Sequence, residues 1–183
     1  MGFNATILSL SRGDVDVALG LLQAERTARA DEANESPLSL AEDGQGALIW
    51  YNPDSALWVG YREFDQVLEE LSKQVDLDVF DVHENAGYCT VRHYAGGSVS
   101  WMVSHNSETA PDNLQVSSEA PYFVKEIAAK RDLDAGASSA FEVPVAVFAQ
   151  LTGFRYDKKG ETEFYELDRA VARPMSKPWW KFW

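Results

Sequence analysis

The spacing of apolar residues along the chain predicts a succession of strands and helices. Phe3 to Leu10 has the character of a strand, and the helix predicted after it carries an apolar stripe between Val15 and Leu22. A second helix has apolar residues three and four positions apart between Phe64 and Val75, with acidic residues off this stripe. Asp31 to Gly46 shows no sustained period and is predicted to be an exposed connection.

Two groups of strands are predicted from aromatic and β-branched runs. Ala47 to Tyr51 and Ala56 to Tyr61 flank a turn that contains Pro53, which indicates a hairpin. Three further runs are joined by short glycine-containing turns and indicate a meander: Leu77 to Val82, Tyr88 to Tyr94 and Ser98 to His105.

Two more helices and a last short strand complete the prediction. One helix follows Pro121, and a short helix starts at Pro144 and ends at Gly153. The strand is predicted at Phe164 to Leu167. We therefore predict an α+β fold with a mainly antiparallel sheet, a hairpin plus a three-stranded meander, packed by about four helices. Residues 1–168 form a single predicted globular domain, and residues 169–183 form a tail.

The turn at Gly96-Gly97 predicts the register of the last two meander strands. A two-residue turn pairs Tyr88 with His105 and Arg92 with Trp101, so all four side chains share one broad aromatic face. Such a face is usually core beneath helices, and this is the favoured interpretation. The alternative is a ligand-binding face formed by Tyr88, Arg92, Trp101 and His105.

The sequence contains little that indicates a metal site or a cofactor-binding site. In either register of the preceding turn, His83, His93 and His105 do not converge, being roughly 10 to 13 Å apart at about 3.3 Å per residue and 4.8 Å per strand. The lone Cys89 is predicted to be a buried filler. The common nucleotide-binding, hydrolase and zinc-peptidase motifs are absent from the sequence. We predict no metal site, no cofactor and no catalytic residue.

Charge narrows the choice of partners. The chain has 16 Lys and Arg against 29 Asp and Glu, a formal net charge of −13, which opposes binding to nucleic acid. This acidity serves solubility or attracts a basic partner, and both interpretations stay open. No apolar run approaches the ~20 residues that span a bilayer, and the first residues do not resemble a secretory signal. The sequence predicts a cytoplasmic protein.

The segment 169–183 stands out because it is basic and aromatic. It contains four of the 16 basic residues and three of the six tryptophans, with no acidic residue. Three interpretations compete: the segment closes the core of its own domain, docks on a partner, or attaches to a membrane surface. The acidic body disfavours the membrane. The candidate docking residues are Lys177, Trp179, Trp180, Lys181, Phe182 and Trp183.

These observations favour a non-enzymatic soluble protein that binds a protein partner. One version is an inhibitory or immunity-type protein that neutralises a basic partner, with the tail as a docking element. The alternative is a small-molecule-binding or hydrolytic enzyme that uses the aromatic and histidine face of the 88–105 hairpin.

Overall fold

A computed structural model describes residues 2–44, 46–53, 61–132, 136–158 and 162–170, and within these ranges the chain forms four α-helices and nine β-strands. The helices are α1 (Val15–Leu22), α2 (Tyr61–Ser72), α3 (Tyr122–Ala129) and α4 (Ala137–Thr152). The strands are β1 (Asn4–Leu10), β2 (Ala24–Ala30), β3 (Leu38–Glu42), β4 (Ala47–Tyr51), β5 (Leu77–His83), β6 (Tyr88–Ala95), β7 (Ser98–Asn106), β8 (Leu114–Val116) and β9 (Tyr165–Arg169).

All nine strands belong to one sheet with the order β2-β9-β3-β4-β1-β5-β6-β7-β8. Every neighbouring pair is antiparallel, which confirms an α+β fold with an antiparallel sheet. The predicted meander is present as β5, β6 and β7. The predicted hairpin is wrong, because β4 pairs with β1 along one edge and with β3 along the other. Residues 54–60 lie outside the described ranges, and Tyr61 belongs to α2.

Helices cover both faces of the sheet. Successive side chains of a strand point to opposite sides, and both sides of this sheet carry apolar side chains. On the α1/α2 face, Leu8 and Ile49 of the sheet pack in one core with Leu68 of α2. On the opposite α3/α4 face, Phe80 of β5 stacks on Phe148 of α4, with ring centroids 4.9 Å apart. The sheet is therefore the middle of three layers.

The prediction that residues 31–46 form an exposed connection is wrong for its second half. Leu38 to Ala41 is buried in β3, an interior strand that lies between β9 and β4. A strand with both faces covered lacks the alternation of apolar and polar residues that marks a half-exposed strand. The polar turn before it is held by the Asp31 carboxylate, which accepts the backbone N–H of Glu35 at 3.0 Å.

A β-bulge changes the register of the β6–β7 hairpin. Next to the turn, Tyr94 pairs with Val99 as predicted, but His93 pairs with Trp101, so Ser100 is an extra residue in β7. Beyond the bulge, Cys89 pairs with His105 and Arg92 pairs with Met102. The predicted pairs of Tyr88 with His105 and of Arg92 with Trp101 are therefore wrong by one residue.

Helix α4 begins seven residues before the predicted start at Pro144, which lies buried inside the helix. Proline lacks an N–H to donate to the carbonyl of Ala140, but burial of Val143, Val147 and Phe148 holds this helix on the sheet. Gly153 ends the helix as predicted, with a positive φ of 73° that favours glycine. In the described part of the chain, no helix combines the length and the apolar character needed to cross a bilayer.

Candidate functional site

The four residues of the predicted ligand face do not share a surface. Tyr88 and Arg92 point to the α1/α2 face, whereas the bulge places Trp101 and His105 on the α3/α4 face with Cys89. Because the strand alternates sides at each residue, one extra residue is enough to divide the set. The structure therefore does not bring the four residues together at one surface.

Trp101 and His105 lie in the core beneath α3 and α4. Trp101 is 7% exposed and stacks on His93, with ring centroids 5.5 Å apart. His105 is 1% exposed, its Nδ1 lies 2.6 Å from the carbonyl oxygen of Asn113, and its ring meets Phe141 edge-on. These contacts are those of packed core side chains.

Arg92 belongs to a polar network on the opposite face. Its guanidinium donates to Asp81 at 2.8 Å and to Asp65 at 3.3 Å, and Thr6 donates its hydroxyl to Asp81 at 2.6 Å. Burial alone would lower the pKa of Arg92, but the charge of Asp81 and the other groups around it raise that pKa above its usual value. Two carboxylates already compensate this cation, so an anionic ligand would have to compete with both.

The three histidines lie in different surroundings. His83 is exposed at the end of β5, His93 is half-buried against Trp101, and His105 is buried near Phe141. Among the described residues, no three His, Cys, Asp or Glu side chains are arranged to hold a metal ion. Cys89 is wholly buried, as predicted, and burial raises the pKa of its thiol well above the usual value.

A groove lies at the edge of the sheet where β1 and β3 end and where β4, β5 and β9 begin. It has a volume of about 960 Å³. The C-terminal end of α4 forms one wall. Because the strands are antiparallel, segments that are distant in sequence meet at this edge. We call it the acidic groove, and it is lined by Ser9, Leu10, Ser11, Ala41, Glu42, Asp43, Gly46, Ala47, Leu48, Asp76, Leu77, Asp78, His93, Leu151, Thr152, Gly153, Phe154, Thr162, Glu163 and Tyr165.

Negative charge dominates the acidic groove. Five carboxylates line it, and one of them, Glu42, forms an ion pair with Arg26 at 3.1 Å. The carbonyl end of α4 adds the negative pole of its helix dipole, and no basic residue lies in its last turn. The groove therefore attracts positive charge.

Asp78 and His93 line this groove and are both half-buried. The Nδ1 atom of His93 lies 2.8 Å from the Asp78 carboxylate. Burial raises the pKa of Asp78, and the hydrogen bond to His93 only partly offsets that effect. An additional cation near this carboxylate would stabilise its ionised form.

Apolar side chains contribute to the same surface. Leu48, Leu151 and Phe154 are half-buried in the α3/α4 core, and Tyr165 is 40% exposed. All four line the groove. The groove can therefore contact the aliphatic stem or the aromatic ring of a ligand while its carboxylates bind the positive charge.

The candidate docking residues of the tail, Lys177, Trp179, Trp180, Lys181, Phe182 and Trp183, lie outside the described residues. Arg169, the first residue of the predicted tail, pairs with Ala24 in the sheet. The backbone N–H of Ala170 donates to the carbonyl of Gln23 at 2.7 Å.

No protein-family model matches the sequence, and comparisons with curated proteins and with solved structures found no match.

Proposed function

We propose that this protein is a non-enzymatic, cytoplasmic binding protein that holds a basic protein partner in the acidic groove. The proposal rests on the combination of five carboxylates and several apolar side chains in one groove of about 960 Å³. A specific version is an inhibitory or immunity-type protein that covers a functional basic surface of its partner.

The charge distribution supports a cationic ligand. Within the described part of the chain, no lysine or arginine forms an ion pair with Asp76, Asp78 or Glu163. The carbonyl end of α4 adds to the negative electrostatic potential of these carboxylates. The formal charge of the whole chain is −13, which also speeds the encounter with a basic partner and repels phosphate backbones.

The mixed lining supports a protein ligand. Small-molecule pockets are mostly apolar with few polar groups, whereas this groove is rich in carboxylates. Lysine and arginine side chains bury an aliphatic stem and present a charged head, which suits a groove lined by both apolar side chains and carboxylates. A basic segment of a protein offers several such side chains in a row.

The alternative function, a small-molecule-binding or hydrolytic enzyme, is less well supported. It relied on Tyr88, Arg92, Trp101 and His105 as one face, and these residues lie on opposite sides of the sheet. Arg92 is compensated by Asp81 and Asp65, so it is a poor anchor for an anionic ligand.

Capture from a lysate of the source organism tests the proposal when three immobilised proteins are compared. They are the wild type, a groove variant with Asp76→Asn and Glu163→Gln, and a control variant with Glu69→Gln and Glu108→Gln. Both variants remove two exposed carboxylates, but only the first pair lines the groove. Captured proteins are quantified by mass spectrometry at about 50 mM and about 500 mM salt.

We expect a basic protein that the wild type and the control variant retain equally and that the groove variant retains several-fold less. High salt should weaken the complex, since exposed charges are then screened. Equal retention by all three proteins would show that the acidic groove does not bind the partner.

A further inference from the structure

We propose that residues 171–183 of the same chain occupy the acidic groove in the free protein and leave it when the partner binds. The tail is then an internal substitute for the partner. The competition between them rests on the proposed function, whereas the occupancy of the groove by the tail can be tested without a partner.

The chemistry of this segment complements that of the groove. Residues 171–183 contain Arg173, Lys177 and Lys181 and no acidic residue, so the segment carries three positive charges. Trp179, Trp180, Phe182 and Trp183 supply large apolar rings between and beside the two lysines. Aromatic side chains flanked by positive charge are a common form of docking anchor.

The groove offers a counterpart for both kinds of residue. Asp76 and Glu163 are exposed at its surface, and Tyr165, Leu151 and Phe154 provide the apolar contact area. Tyr165 is one of the few large hydrophobic side chains of the described residues that remain exposed. An aromatic segment packed on it would bury that ring.

The path of the chain allows the tail to reach this place. Strand β9 starts beside the groove at Tyr165 and leads away from it to Ala170, about 17 Å further at roughly 3.3 Å per residue. The nine residues from Ala170 to Trp179 span up to about 30 Å when extended, so the chain can return along the length of the strand. Pro174 and Pro178 favour such an extended path over a helix.

Zero-length cross-linking with a carbodiimide tests the position of the tail in the full-length protein. The reagent joins a lysine amine and a carboxylate that are in contact, with loss of water, and peptide mass spectrometry identifies the pair. An equimolar mixture of unlabelled and ¹⁵N-labelled protein separates links within one chain from links between two chains.

We expect links within one chain from Lys177 or Lys181 to Asp76, Asp78 or Glu163. A variant with Trp179→Ala and Trp180→Ala keeps both lysines and should lower the yield of these links several-fold, because it removes the apolar anchor. Tyr122→Ala removes an aromatic ring that is 75% exposed on α3, outside the groove, and should leave the yield unchanged.

Three results would overturn the inference. Links from the tail to carboxylates outside the groove, such as Glu69 of α2, would place the tail elsewhere. Links mainly between labelled and unlabelled chains would make a second copy the occupant of the groove. The absence of any link from Lys177 or Lys181 to the groove would also refute it. The comparison of groove and control variants in partner capture is independent of these results, so each proposal can fail alone.

Discussion

The β-bulge at Ser100 predicts how strongly truncation of each of the next two residues lowers the free energy of unfolding. It places Trp101 in the α3/α4 core and Met102 on the opposite face, whereas a regular hairpin would exchange their sides. Trp101→Ala and Met102→Ala therefore distinguish the two registers by their effects on the free energy of unfolding.

The magnitude follows from burial. Trp101 is 7% exposed and stacks on His93, so its removal leaves a large cavity and should cost about 3 to 5 kcal/mol. At about 2 to 4 °C per kcal/mol for a chain of this size, the Tm should fall by roughly 10 °C. Met102 is only half-buried, and its truncation should cost about 1 kcal/mol or less.

Urea unfolding followed by far-ultraviolet circular dichroism measures both values without relying on tryptophan fluorescence. The assay yields a midpoint and a slope, so a change in stability is separated from a change in the unfolded state. A larger loss for Met102→Ala than for Trp101→Ala would refute the bulge. It would also restore Tyr88, Arg92, Trp101 and His105 as one face.

Three further predictions concern buried polar groups. The thiol of Cys89 is wholly buried with a raised pKa, so a thiol reagent should modify it only after unfolding, and rapid reaction of the native protein would contradict this core. Arg92→Ala leaves Asp81 without its cation and should cost about 2 kcal/mol in thermal unfolding, less than for a fully buried pair because the two side chains are 22% and 16% exposed; a negligible loss would mean that solvent screens the pair. Burial raises the pKa of Asp78 above its usual 3.8, so the folded state binds this proton more tightly and the stability it contributes is lost as the pH rises through the raised value. Asp78→Asn should therefore flatten the decline in stability as the pH rises above 3.8, and identical slopes for variant and wild type would be inconsistent with the raised pKa.

Local signals were sufficient to predict helices α1 and α2 and the meander. The apolar residues three and four positions apart in α1 and α2 match the buried residues of both helices, because one side of each helix meets the core and the other meets solvent. The meander strands agree with β5, β6 and β7, which short glycine-containing turns separate in the sequence. Local signals of this kind do not specify the partner of a strand.

Long-range pairing explains what the sequence did not reveal. β3 is short and buried on both faces, so it shows no alternation, and β9 enters the sheet between β2 and β3 from the far end of the chain. The segment from Ala47 to Tyr51 has a turn signal after it, but its edges are taken by β1 and β3. Pairing between distant segments overrides the local preference for a hairpin.

The candidate site was hidden for a related reason. Ser100 carries no signal for a bulge, although this residue decides which side chains share a face. The carboxylates of the acidic groove come from separate segments, around Asp43, Asp76 and Glu163, which the antiparallel sheet brings to one edge. Overall acidity predicted attraction to a basic partner, but the sequence could not show where on the surface that partner would bind.

Positive charge is expected to bind in the acidic groove, and a basic peptide tests this expectation. Fluorescence anisotropy of a labelled octalysine peptide at about 50 mM salt measures this binding for the wild type, the groove variant and the control variant, all three carrying Trp179→Ala and Trp180→Ala so that the tail does not compete with the peptide. Loss of two exposed ion pairs should cost the groove variant about 1 kcal/mol together, a Kd about fivefold higher than that of the wild type. The control variant should match the wild type. Equal weakening of both variants would mean that octalysine responds only to net charge, and this would contradict the assignment of the groove.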